Sequence, residues 1–239
     1  LKGTGPESDI VMSSRVRLAR NLAHYPFVGR ASETERSEIE GFLRSHLKKT
    51  SVGSRLEYTN LGGLEDLDRQ FLVERQLISR EHADATGARG VAIDPTEQIS
   101  LMINEEDHLR IQVLQPGLEF KKVWKRADEL DSCIESHVDY AYDSELGLLT
   151  ACPTNLGTGL RASAMMHLPG LVMSKNMDKV INAVNQLGIA VRGLFGEGSD
   201  ASGSIFQISN QQTLGESEDA IIDRLNETLT NIVRQENFA

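Results

Sequence analysis

Apolar residues recur every three to four positions in five stretches of the chain, the spacing that turns one face of an α-helix toward a core. The first stretch carries Ile39, Phe42, Leu43 and Leu47. It follows Ser32-Glu33-Thr34-Glu35, a capping box in which serine and glutamate satisfy each other's backbone amides. A second helix is expected from Leu64 to Ile78, with Leu67, Phe71 and Leu72 turned inward. A third places Phe120, Val123, Trp124, Ala127, Leu130 and Ile134 on one face, with Cys133 in the core beside it. A fourth runs from Met177 through Val180, Ile181 and Val184 to Leu187, where Gly188 stops it. The last holds Ile221, Ile222, Leu225, Leu229 and Ile232.

Short β-rich runs lie between these helices: Gly90 to Asp94, Gln98 to Ile103, Leu109 to Leu114, Leu146 to Ala151, Ile189 to Leu194 and Ser204 to Ser209. The first three are too close together for crossover helices, so they predict hairpins. Asp9-Ile10-Val11-Met12 opens a further strand that continues into Ser13-Ser14-Arg15-Val16-Arg17. No internal repeat, low-complexity tract or long linker interrupts the pattern. The reading is one α+β domain over residues 1–239, with a largely antiparallel sheet flanked by helices.

Composition narrows the function classes. Hydrophobic residues make up 39% of the chain and charged residues 25%, an ordinary balance for a soluble protein. No apolar run approaches the ~20 residues that span a bilayer, so no membrane partner is expected. Two cysteines cannot build a disulfide framework, and a reducing cytoplasm is the expected compartment. The net charge of −10 argues against general nucleic-acid binding. Among the 25 basic residues 17 are arginine, a bias compatible with phosphate recognition by guanidinium forks.

Four segments carry candidate chemistry. Arg15 and Arg17 alternate along a strand, so both guanidinium groups share a face, either around an anion, in solvent or in salt bridges. Asn104-Glu105-Glu106-Asp107-His108-Leu109-Arg110 falls at a hairpin turn; its three acids could supply a general base, a magnesium-water anchor or only a solvated turn. Cys152-Pro153-Thr154-Asn155-Leu156-Gly157-Thr158-Gly159-Leu160-Arg161-Ala162-Ser163 sets a thiol, a glycine-relieved loop and an arginine within twelve residues. It reads either as a phosphate-side loop with an ionisable thiol or as a tight loop before a buried helix. Arg192-Gly193-Leu194-Phe195-Gly196-Glu197-Gly198-Ser199 reads as a glycine-flanked loop that could close over a substrate. Neither a Walker-type loop nor a dinucleotide-binding glycine motif is present.

Taken in order, Ser13 to Arg20, Asn104 to Arg110, Cys152 to Ser163, Arg192 to Glu197, and Ile208-Ser209-Asn210 with Leu214-Gly215 resemble the phosphagen (guanidino) kinases. Within that family Asp9 to Arg15, Met102 to His108, Ala162 to Pro169 and Ile205 to Asn210 are similar to the bacterial protein-arginine kinases. The resemblance implies a catalytic domain of the glutamine synthetase/guanidino kinase type. It also implies that the N-terminal helical domain and the C-terminal dimerisation region of relatives are absent here. The implied activity is transfer of the γ-phosphoryl of ATP, with Mg2+, to arginine side chains displayed on proteins. The alternatives are a kinase of a small free guanidino compound, or an inactive phosphoarginine- or nucleotide-binding module.

By the same resemblance Glu106 would hold the guanidinium and act as base, with Glu197 as its partner and Cys152 as an orienting thiolate. Arg15, Arg17, Arg110, Arg161 and Arg192 would clamp the phosphates. Ser13, Ser14, Val16, Ala162, Ser163, Ala164, Met165, Gly193, Leu194, Phe195 and Gly196 would complete the nucleotide pocket. Gln76 stands where relatives place a histidine on the adenine, and Glu105 would approach magnesium through water. A zinc-binding activator and a Clp-type protease are the implied partners, in the setting of protein quality control.

Overall fold

A computed structural model describes residues 5–193 and 202–239 of the 239-residue chain. In chain order the elements are β1 (Val11–Arg20), α1 (Glu33–Leu47), β2 (Glu57–Asn60), α2 (Asp66–Glu74), α3 (Arg80–Asp84), β3 (Gly90–Ile93), β4 (Ile99–Ile103), β5 (Leu109–Pro116) and α4 (Phe120–Glu135). They continue as β6 (Tyr142–Asp143), β7 (Gly147–Leu148), β8 (Leu160–His167), α5 (Pro169–Met173), α6 (Met177–Asn185), β9 (Ile189–Gly193), β10 (Ile205–Asn210) and α7 (Glu218–Phe238). Two compact units emerge. The first draws on residues 5–16, 114–125, 160–193 and 202–239, the second on 17–113 and 126–159. Strands β1 and β5 and helix α4 run from one unit into the other.

In the second unit the strand order is β2-β3-β4-β5-β1. β3, β4 and β5 form the expected hairpins, in register at Ala92↔Leu101 and Leu101↔Ile111. Leu61, Ile78, Ala83, Val91 and Met102 pack into a core here, with Leu64, Leu72, Val73 and Ile93 against it. Helix α1 begins at the expected capping box, with Ser32 Oγ accepting from the Glu35 amide and Glu35 Oε2 from the Ser32 amide. The second expected helix is shorter than its apolar period suggests. It stops at Glu74, Gln76 adopts a left-handed φ of 60°, and α3 starts separately at the Ser79 cap. Its packing face is narrower than expected: Leu72 meets the core as expected and Val73 joins it, but Leu67 and Phe71 are exposed. Cys133 is half-buried beside Ser51 rather than part of the core. The run from Leu146 to Ala151 forms only the two-residue β7, paired to β6.

In the first unit the order is β1-β8-β10-β9, and β10 pairs antiparallel to both neighbours. Strand β8 was not expected. Its Leu160, Ala162, Ala164 and Met166 are buried, and strands on both sides satisfy its backbone. Helix α7 buries Ile221, Ile222, Leu225, Leu229, Ile232 and Val233 and lies on β8 and β10. Helix α6 ends at Asn185, leaving Leu187 exposed, and lies on β9. Trp124 is half-buried and donates to Asp219 at 2.8 Å. No helix among the described residues is long and apolar enough to cross a membrane.

Arg20, 3% exposed, anchors the glycine-bearing loop of the second unit. Its Nε and Nη2 fork onto Asp131 at 2.6–3.1 Å, and Nη1 donates to the carbonyls of Ala19 and Thr158. Tyr140 adds a third donor to Asp131 at 3.0 Å. The backbone crowds Arg20 closely. Gly159, at φ 64°, would put a Cβ 2.6 Å from the Ala19 oxygen. Removing one partner of a buried pair strands the other, so Arg20→Ala should cost about 3–5 kcal/mol, read as a lower urea midpoint. A cost under ~1 kcal/mol would remove Arg20 as an anchor.

His82 lies fully buried in the same unit, with Nε2 3.1 Å from the Gly90 carbonyl and Nδ1 without a hydrogen-bond partner among the described residues. Burial pushes its pKa down from 6.5 to about 4, against the pull of Gly90 and Glu105. Between those values the unfolded chain takes a proton that the folded chain refuses. Stability therefore falls as pH drops through that window, by about 3 kcal/mol in all at ~1.4 kcal/mol per unit. Urea unfolding of the wild type and His82→Gln should show the stability difference shrinking as pH is lowered from 6.5 to about 4. A constant difference would refute the assignment.

Candidate active site

The turn between β4 and β5 treats its three acids differently. Its bend is set by Asn104, at φ 57°, whose amide donates to the His108 carbonyl and whose Nδ2 donates to Arg36 and Ala88 carbonyls. Glu105, 3% exposed, accepts at Oε1 from Ser79 Oγ and Arg110 Nη1, both at 2.7 Å. Its Oε2 accepts from the Glu106 amide at 2.8 Å. Three of about four acceptor positions are thus filled, leaving room for one more donor such as a metal-bound water. Among the described residues no group of three His, Cys, Asp or Glu is arranged to hold a metal ion.

Glu106 is the acid that faces solvent. Its side chain is 46% exposed, and Arg110 Nη2 donates to its Oε2 at 3.1 Å. Partial burial raises its pKa above the ordinary 4.5, Arg110 opposes that shift, and Asp107 and Glu105 add to it. Asp107 is fully buried, and its Oδ1 accepts from Asn21 Nδ2 at 2.6 Å and from the Ala151 amide at 2.7 Å. His108 is buried as well. Nδ1 accepts from the Leu22 amide and Nε2 donates to the Pro26 carbonyl, a neutral tautomer that fits its pKa, lowered mainly by burial.

The segment after Ala151 carries the half-buried Cys152 on a 3₁₀ turn, Pro153–Asn155. Its sulfur lies 3.0 Å from Thr154 Oγ1, and its carbonyl accepts from Thr150 Oγ1 and the Asn155 amide. Positive φ at Gly157 and Gly159 lets the chain turn back toward β8. The second unit therefore holds Glu105, Glu106, Arg110 and Cys152 together. Arg17, half-buried on β1, and Gln76 belong to this unit too, and the Gln76 carbonyl accepts from Gln112 at 2.6 Å.

In the first unit Arg15 donates from Nε to Ser163 Oγ at 3.3 Å and from Nη2 to Gln207 Oε1 at 3.2 Å. Arg192, Gln207 and Met165 stand opposite one another across β9, β10 and β8. Arg161 donates to the Asn210 carbonyl at 3.1 Å, and Asn210 in turn caps the start of β8 through the Ala162 amide and Leu160 carbonyl. Alternation sends Val16, Ala162 and Ala164 into the core, so any nucleotide contact from them is through backbone. Ser14 is likewise fully buried, donating to the Gly117 carbonyl at 2.7 Å and accepting from the Glu119 amide. Ser13 is buried beside it, and Gly193 closes β9. Leu194, Phe195, Gly196 and Glu197 lie outside the described residues.

The geometry adds Asn21, Ser79, Asp107, Thr154 and Gln207 to the residues that shape these surfaces. In the sequence Asp107 stood as one of three turn acids, Thr154 as part of the Cys152 segment and Gln207 as the polar position between Phe206 and Ile208, while Asn21 and Ser79 carried no such signal.

The family pattern described as ATP:guanido phosphotransferase, C-terminal catalytic domain, matches residues 38–239. The protein-arginine kinase of Symbiobacterium thermophilum is 47% identical over 242 residues, covering all of this chain and 69% of that protein. That of a Geobacillus species is 48% identical, covering 98% of this chain and 66% of the relative. Among solved structures, lombricine kinase superimposes with a TM-score of 0.85 at 26% identity, over 99% of this chain and 68% of that one. The duplicated taurocyamine kinase of Schistosoma mansoni gives 0.83 at 27% identity, over 98% of this chain and 35% of its own length. The chain thus spans about two thirds of the protein-arginine kinases it matches and about a third of the duplicated enzyme. On the extent of the family match and the identity to these relatives, the chain belongs to the ATP:guanido phosphotransferase family.

Proposed function

We propose that this chain is the catalytic part of a protein-arginine kinase, which moves the γ-phosphoryl of ATP to the guanidino group of an arginine displayed on a protein. The observation that carries the reading is Glu106: the solvent-facing acid in a turn whose other two carboxylates are committed to internal donors. Near half identity to protein-arginine kinases over the whole chain supports the choice of acceptor.

A guanidinium with a pKa above ~12 is a poor nucleophile until it begins to lose a proton. In the proposed step Glu106 accepts that proton while the guanidino nitrogen forms a bond to the γ-phosphorus. The bond from that phosphorus to the β,γ-bridging oxygen breaks, and ADP leaves. Cys152, whose sulfur lies 3.0 Å from Thr154 Oγ1, would lie along the guanidinium and fix its plane, and Glu197 would be the second carboxylate. Magnesium is proposed to arrive as the MgATP substrate, coordinated by phosphates and water, with Glu105 bracing Arg110 and the Glu106 backbone. Arg15, Arg17, Arg110, Arg161 and Arg192 would spread the charge of the transferring group.

Alignment of reactants can contribute about 7–11 kcal/mol, more than the ~10²–10⁴-fold of a single base. The arginines should therefore matter at least as much as Glu106. Incubating the protein with MgATP and an arginine-rich protein should yield acid-labile phosphoarginine, seen by mass spectrometry, and Glu106→Ala should lower kcat by roughly 10²–10⁴-fold. Absence of any phosphoramidate from the wild type would defeat the reading. The pH profile offers an independent check. Because Glu106 must be ionised to accept a proton and its pKa is raised, the acidic limb of kcat/KM should rise at a pH above 4.5. A limb at or below that value would point to another base.

A further inference from the structure

We propose that Asp107 is a positioning residue that fixes Cys152 relative to Glu106. A carboxylate in a dry interior is costly unless donors surround it, and packing alone would be served by an apolar side chain. Asp107 is fully buried, with both hydrogen bonds made by Oδ1: the Ala151 amide at 2.7 Å and Asn21 Nδ2 at 2.6 Å. Asp107 is the chain neighbour of Glu106, and Ala151 is the chain neighbour of Cys152. One oxygen thus ties the backbone beside the base to the backbone beside the thiol.

Asn21 locks the same junction from a third segment. Its Oδ1 accepts from the His108 amide at 2.9 Å, its Nδ2 also donates to the Leu149 carbonyl at 3.1 Å, and its own carbonyl accepts from the Ala141 amide at 2.7 Å. The hairpin turn, the segment leading to Cys152 and the end of β1 meet at these two side chains. A planar guanidinium gripped on one edge by a carboxylate and along another by a thiol tolerates little error in the separation of the two. A displacement of ~1 Å is enough to cost about 10²-fold in turnover.

The inference rests on the proposed kinase activity, and its test separates the two. Asp107→Ala and Asp107→Asn are made in a Cys133→Ser background, so that Cys152 is the single thiol. Asp107→Ala should lower kcat by about 10²-fold while the KM for ATP stays within ~2-fold. Asp107→Asn, whose amide oxygen can still accept both bonds, should recover at least ~10-fold of that loss. The pH dependence of Cys152 alkylation by iodoacetamide should shift in the alanine variant and match the parent in the asparagine variant. That readout needs no kinase activity, so it decides the positioning role even where phosphoarginine formation fails.

A folded Asp107→Ala protein with parental kcat and alkylation would overturn the proposal. So would an asparagine variant no better than alanine. Should Asp107→Ala not fold, Asn21→Ala removes one of the two donors and leaves the Ala151 bond. It should lower kcat and shift Cys152 alkylation in the same directions, and parental values in a folded Asn21→Ala protein would refute the assignment.

Discussion

Three carboxylates placed side by side in one turn must each find donors or water, and the architecture of the second unit follows from how that demand is met. Glu105 is satisfied by a helix cap, by Arg110 and by the amide of its neighbour. Asp107 finds its donors, both at Oδ1, in segments more than forty residues away on either side, at Ala151 and Asn21, while its buried Oδ2 has no hydrogen-bond partner among the described residues. Only Glu106 is left toward solvent, with one guanidinium as company. Had all three acids been solvated, nothing would distinguish one from another. The sorting of similar carboxylates by burial leaves the turn a single solvent-facing acid, the one proposed as base.

The first unit solves a different problem, holding guanidinium groups in fixed orientations on one face of a sheet. Arg15 bonds to a hydroxyl and an amide oxygen, and Arg161 bonds to a backbone carbonyl. Neutral acceptors orient a fork without adding a carboxylate that repels incoming phosphate. The strands supply the spacing. Alternation puts Arg161, Ser163 and Met165 on the face opposite the buried Ala162 and Ala164, and register brings Gln207 and Arg192 level with Met165.

Much of this was legible from the chain alone because it is local. The capping box, the α4 and α7 stripes and the β3-β4-β5 hairpins depend on residues close in sequence. Strand β8 was hidden because Leu160–His167 is rich in alanine and methionine, residues with no strand preference; pairing on both sides overrides that. The inward face of α2 was only partly placed: the helix stops early, before the left-handed Gln76, so Leu72 and Val73 reach the core while Leu67 and Phe71 stay exposed. Asp107 looked like any charged turn residue. Its burial is decided by Asn21, 86 residues earlier, and no local pattern records that. The motif resemblance supplied the proposed site residues, whereas their hydrogen-bond partners came only from the fold.

The Arg20–Asp131 pair bears on how the protein responds to ionic strength. At 3% and 14% exposure the two charges sit where mobile counter-ions do not reach, and screening over ~8 Å in physiological salt acts on charges in water. Exposed pairs such as Lys121–Asp223 lie open to that screening. Under the proposed function, added salt would compete with phosphate for guanidinium groups open to solvent, such as that of Arg192, while the anchorage of the glycine-bearing loop stays unchanged. The proposed recognition of an anion and the integrity of the loop would then respond to different variables, because Arg192 faces the electrolyte and Arg20 does not.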